Sequence, residues 1–153
     1  MIRKILLIIC CLLAITPVLA AQPTTLSIEP SGNVTIQNVQ DLYGFDIKLI
    51  WNPNEVTLTK ATFNPTWPNY FIAIDDTGVD FYRLVVVSIS GSFNGSTTLI
   101  SLEFVGEGSI DFNIVKLSDS HWQPIPVTLN SFRIATALEQ KCLDVEKKLT
   151  LSW

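Results

Sequence analysis

Histidine occurs once in this chain, at His121, and cysteine three times, at Cys10, Cys11 and Cys142. So thin a supply leaves little for chemistry. Paired cysteines for zinc, phosphate-binding loops and glycine-rich dinucleotide turns are all missing. A serine or cysteine hydrolase needs a nucleophile, a base and a group that orients the base. His121 sits in a turn beside Trp122 and Gln123-Pro124, where a lone histidine reads as a polar surface residue rather than a general base. Asp75, Asp76 and Asp80 lie close in sequence. Their spacing does not fit the helix-loop-helix calcium motif, and aspartates before strands commonly bond their own backbone in turns. The reading is non-catalytic, with no cofactor.

Basic residues are also scarce, 10 against 14 acidic ones, and two of them, Arg3 and Lys4, precede the apolar run Ile5–Ile15. Pro17 and Val18-Leu19-Ala20 follow, so residues 1–20 have the layout of an export signal with a small residue before the cut. The alternative is an uncleaved anchor, but the stretch Ile5–Ala21 contains Pro17 and is marginal for ~30 Å of hydrocarbon. Without residues 1–20 the net charge is −6. An acidic surface disfavours nucleic acid and anionic lipid as partners. Cys10 and Cys11 leave with the leader, so Cys142 has no internal disulfide partner. The expected location is outside the cell or on its surface. Asn33-Val34-Thr35 and Asn94-Gly95-Ser96 match the glycosylation triplet, which places them on surface loops or strand edges if the cell modifies exported proteins.

What remains alternates by two. In Phe45–Trp51, Phe45, Ile47, Leu49 and Trp51 point one way and Asp46 and Lys48 the other. Strands are expected over Thr24–Glu29, Asn33–Val39, Val56–Lys60, Phe81–Ser90, Leu99–Val105, Ser109–Leu117 and Pro126–Ile134. Turns are expected at Asn52–Asn54, Asp75–Gly78 and Ser118–Gln123, with a loop over Gly91–Thr97. Pro65 and Pro68 exclude a central strand over Phe63–Phe71. Eight or nine short strands at this spacing predict an all-β sandwich or jelly roll over residues 22–135. Residues 136–153 carry Leu138, Cys142, Val145 and Leu149 at helical spacing and read as a tail, either a short amphipathic helix or a loosely held extension.

The run from Asn38 to Leu49, closing on Trp51-Asn52-Pro53, resembles the cohesin family: a Leu42-Tyr43-Gly44 turn, an alternating strand, then an asparagine turn. Trp51 stands where tyrosine is usual. Thr98–Phe104, Gly108–Phe112 and Val115–Asp119 are similar to the family's closing strands. The resemblance covers about residues 24–135 and implies a nine-stranded jelly-roll β-sandwich that binds dockerin modules or, in relatives, carbohydrate. Calcium in such a pair belongs to the dockerin. Asp46 stands where dockerin-binding cohesins place an aspartate that hydrogen-bonds the partner, although an ordinary solvent-facing carboxylate is the alternative. Gly44 stands where those cohesins often have asparagine.

Three kinds of partner follow. A protein, in the manner of a dockerin-bearing enzyme of polysaccharide breakdown, would meet Asp46 and Lys48 on a flat sheet face. A polysaccharide would stack on Trp67, Tyr70 and Trp122, unless those rings plug the open end of the sandwich. A structural cell-surface subunit would assemble through edge strands.

Overall fold

The alternation in the sequence becomes an inside and an outside. Phe45, Ile47, Leu49 and Trp51 are buried, while Asp46, Lys48 and Ile50 between them are half-buried. The computed structural model describes residues 22–133. The proposed leader and the tail with Cys142 lie outside the described residues. Ten strand segments run in chain order: β1 (Thr25–Ile28), β2 (Asn33–Leu42), β3 (Gly44–Trp51), β4 (Val56–Phe63), β5 (Tyr70–Thr77), β6 (Phe81–Ser88), β7 (Phe93–Gly106), β8 (Ser109–Ser118), β9 (Thr128–Asn130) and β10 (Phe132–Arg133). No helix among the described residues is long and apolar enough to cross a membrane.

The first sheet has the order β4-β7-β2-β1-β9 and the second β10-β8-β3-β6-β5. Their inner faces share one core, in which Leu26, Ile36, Leu42, Ile47, Leu49 and Leu84 are fully buried. β3 lies at the centre of the second sheet, paired antiparallel with β6 on one side and β8 on the other. Tyr43 alone joins β2 to β3, so the chain changes sheets there; its N–H donates to Ser118 O and its carbonyl accepts from Ser88 N, each at 2.8 Å.

Three expectations change. Pro126–Ile134 is not one strand. β9 runs parallel to β1 in the first sheet and β10 antiparallel to β8 in the second, so the ninth strand divides at Ser131 and serves both sheets. The loop expected over Gly91–Thr97 is largely strand, because β7 begins at Phe93. Its polar residues are needed there. β2 bulges twice, with positive φ at Asn38 (55°) and Asp41 (56°), and the two freed amides bond Ser96 Oγ (3.1 Å) and Asn94 Oδ1 (2.8 Å). Both asparagines of the glycosylation triplets therefore lie in strands, and Asn94 is already engaged. Finally, Asp75 and Asp76 belong to edge strand β5, and the turn contracts to Gly78–Asp80. Charge on an edge strand is common because it discourages further pairing.

Candidate functional site

The outer face of the second sheet is built on β8, β3, β6 and β5, with β3 at its centre. Residues opposite one another on neighbouring strands share a face. Three rows therefore cross its middle: Val87–Gly44–Ser118, Val85–Asp46–Lys116 and Arg83–Lys48–Ile114. Asp46 and Lys48 do sit together here, on the central strand and turned outward. Arg83, which sequence reasoning did not single out, changes the meaning of both.

Arg83 lies directly opposite Lys48, a like-charge pairing that a ladder disfavours. The two side chains part. The guanidinium reaches along the diagonal to Asp46, with Nε 3.0 Å from Oδ1 and Nη2 2.9 Å from Oδ2, and Lys48 Nζ sits 4.5 Å from the centre of the Phe81 ring. The hydrogen bond to Asp46 raises the Arg83 pKa further above its ordinary value. Both carboxylate oxygens of Asp46 are thus taken from within the sheet. The signal for Arg83 was present, as the one charge inside the apolar run Phe81–Ser88, but its diagonal neighbour depends on register.

Beside this pair the face dips. Gly44 floors a shallow depression of about 170 Å³ walled by Val85, Val87, Asp46, Lys116 and Ser118. A Cβ on Gly44 would stand 3.1 Å from Val86 O and 3.2 Å from Ser118 Oγ, so any other residue would crowd the floor.

The three aromatic residues suggested as a sugar surface are not brought together. Trp67 is only 4% exposed; its ring stacks near Phe45 at 6.2 Å and its Nε1–H donates to Leu42 O at 3.2 Å. That takes Trp67 out of any stacking surface, because the loop with Pro65 and Pro68 closes the end of the sandwich. Tyr70 is half-buried, edge-on to Phe63 at 5.1 Å. Trp122 alone stays open, 65% exposed and edge-on to Tyr43 at 5.4 Å.

The turn that carries Trp122 is tightly tied. Asp119 Oδ1 accepts from the N–H groups of His121 and Gln123, each at 2.8 Å, and Trp122 takes a φ of 63°. Asp41 reaches across from β2, accepting from Ser120 N (3.2 Å) and Ser120 Oγ (2.7 Å). Hydrogen bonds from Ser92 and Ser120 hold the Asp41 carboxyl below its ordinary pKa. Asp41, Asp119 and His121 bring metal-ligand atoms within 4.8 Å of one another, but the bonds just described already account for that convergence. Nor do Ser120, His121 and Asp41 form a hydrolytic triad. The serine hydroxyl donates to Asp41 rather than to the imidazole, and His121 Nδ1 is the nitrogen nearest both, at 3.4 Å from Ser120 Oγ and 3.9 Å from Asp41 Oδ2.

No family model matches the chain, and no curated protein matches it. Solved structures do. A non-cellulosomal cohesin from the archaeon Archaeoglobus fulgidus is similar at a TM-score of 0.58 and 15% identity, over 80% of this chain and 98% of that one. The sixth cohesin of scaffoldin B from Acetivibrio cellulolyticus, solved in complex with a Cel5 dockerin, gives 0.56 and 10%, over 74% and 100%. A type II cohesin domain from the cellulosome of Acetivibrio cellulolyticus gives 0.54 and 11%, over 71% and 92%. The fold of this chain is that of cohesin domains, a nine-stranded jelly-roll sandwich in which the last strand is shared between sheets.

Proposed function

We propose that this chain is an exported, non-catalytic recognition module whose partner is a dockerin-bearing protein, docked on the outer face of the second sheet. The observation that carries the reading is that face itself. β3, β6 and β8 hold rows of solvent-facing side chains, with the central strand β3 paired on both sides along its length, so contacts form there with little ordering penalty. Solved relatives of the same fold include cohesins in complex with dockerins, and the leader-like residues 1–20 agree with work outside the cell. The module would then serve polysaccharide breakdown or surface assembly. The test is retention on immobilised dockerins of wild-type protein against Val85→Glu, which places a charge in the middle of the face. Equal retention of the two proteins, or none of either, removes the reading.

A second reading has one observation behind it, the openness of Trp122. A single rigid ring at the end of the sandwich suits the face of a sugar. Affinity electrophoresis through polysaccharide gels, with Trp122→Ala as the control, decides it: retardation lost in the variant supports carbohydrate, and no retardation of wild type removes it.

A further inference from the structure

We propose that a segment of the chain itself, residues 134–149 beyond the described ones, folds back over the end of the sandwich where β7 turns into β8. Leu138 fills the hollow there, and Lys141 and Lys148 lie against the glutamates around it. This arrangement is independent of what docks on the second sheet.

The hollow measures about 340 Å³ and lies between the turn from β1 to β2 and the end of β7. Ile28, Leu102 and Ile110 of the core line it, together with Pro30 and Phe104. An apolar side chain that displaces water from such a lining is favoured. What fills it is indicated by where the described chain stops. Arg133 is paired with Ser109, the residue next to Ile110, so residue 134 leaves the sheet beside the hollow. Leu138 follows five residues after Arg133 and can reach up to about 17 Å from it, whereas neighbouring strands lie only about 5 Å apart. A segment tethered this closely is present at a high effective concentration.

Charge sets the orientation. Leu138, Cys142, Val145 and Leu149 form a stripe at helical spacing. At about 100° per residue, Lys141 and Lys148 fall on one flank of that stripe, and Glu139 and Glu146 on the other. The end of the sandwich is acidic. Glu29 and Glu103 line the hollow, and Glu55 and Glu107 stand at the adjoining turn, where Glu107 N–H donates to Glu55 O at 3.0 Å. Among the described residues, only Glu103 of this group has a cation within salt-bridge distance, Lys60 at 3.3 Å. The lysine flank complements these carboxylates, and the glutamate flank is turned away from them.

The test is the reactivity of Cys142, which the docked segment covers and which is the one thiol left once residues 1–20 are removed. Maleimide labelling of the processed protein is followed, each rate taken relative to the same protein unfolded in urea. Wild type is expected to react about tenfold more slowly folded than unfolded, a protection within reach of one buried leucine, and equally so at every protein concentration. Methyl contacts in NMR are expected between Leu138 and Ile110 or Leu102. Leu138→Asp is expected to restore the unfolded rate with the circular dichroism of the sheets unchanged. Lys141→Glu with Lys148→Glu is expected to weaken the protection, and Glu29→Lys with Glu107→Lys to return it. Wild type that reacts as fast folded as unfolded overturns the proposal, and so does protection that survives Leu138→Asp. Protection lost on dilution overturns it too, and assigns the segment to a second copy. Should Leu138→Asp lose the sheet spectrum, the charge reversals decide, and protection indifferent to them is the overturning result.

Discussion

Asp46 and Arg83 meet on the diagonal of the β3–β6 ladder, two residues out of direct register, and hold each other by both prongs at 3.0 and 2.9 Å. The contact resolves a local conflict. Arg83 would otherwise stand directly between Lys48 and Asp76, and Asp46 would be an open acceptor on the face. With the pair formed, the carboxylate is internal to the sheet and the two lysines are what a visitor meets.

Removing one member of this pair is therefore not equivalent to removing the other. Asp46→Ala leaves Arg83 with Lys48 on one side and Asp76 on the other, whereas Arg83→Ala leaves a carboxylate with Lys116 directly across from it and no like charge opposite. Asp46→Ala is expected to be the more destabilising. The double variant is expected to lose less than the sum of the singles, read from denaturant midpoints of all four proteins.

The two tryptophans at this end of the sandwich are expected to behave in opposite ways. Trp67→Ala empties a core position, removes the donor to Leu42 O, and is expected to lower stability by about 3–5 kcal/mol. Trp122 is open and carries a φ of 63° that suits glycine better than any L side chain. Trp122→Gly is thus expected to melt at a higher temperature than Trp122→Ala. The reverse order would mean that the loop does not hold that backbone angle.

Acid is expected to loosen the turn that presents Trp122. The folded Asp41 carboxyl has its pKa held below the ordinary 3.8 by Ser92 and Ser120. Its contribution is complete above 3.8 and is lost as the pH falls through the lower folded value. The difference in fluorescence between wild type and Trp122→Phe, followed through this window, reports the change. Asp41→Asn is expected to abolish the pH dependence.

Alkali acts elsewhere. Burial, and then the charge and hydrogen bond of Asp75, push the Tyr82 phenol well above its ordinary 10.0. The unfolded chain ionises first, so stability is expected to fall as the pH rises past 10.0. Ultraviolet titration of the three tyrosines is expected to show one that ionises last. In Asp75→Asn that tyrosine moves part of the way back, burial being the larger cause.

Much of the architecture was legible residue by residue. β3 was read to within one residue, because its side chains alternate without interruption. β5 was missed: Pro65 and Pro68 mark the loop before it, and its two aspartates read as a turn although an edge strand tolerates them. The polar start of β7 was also missed. Asn94 and Ser96 look like loop residues until the bulges of β2 supply the amides that they cap. Asp46 and Lys48 were placed correctly on the outward face, but Arg83 was not seen beside them, since nothing local to either strand states which residue lies across from which.

Composition and period alone settled what could be read from one strand at a time: a two-sided sheet protein and an acidic balance. Those properties depend on the order of side chains along the chain, which a pleated backbone sorts by parity. Folding decided everything that depends on distance across the chain. It buried Trp67 and left Trp122 open, divided the last strand between two sheets, and gave Asp46 to Arg83. Each of these is a meeting of residues dozens of positions apart, and such meetings are set by register and packing rather than by near neighbours.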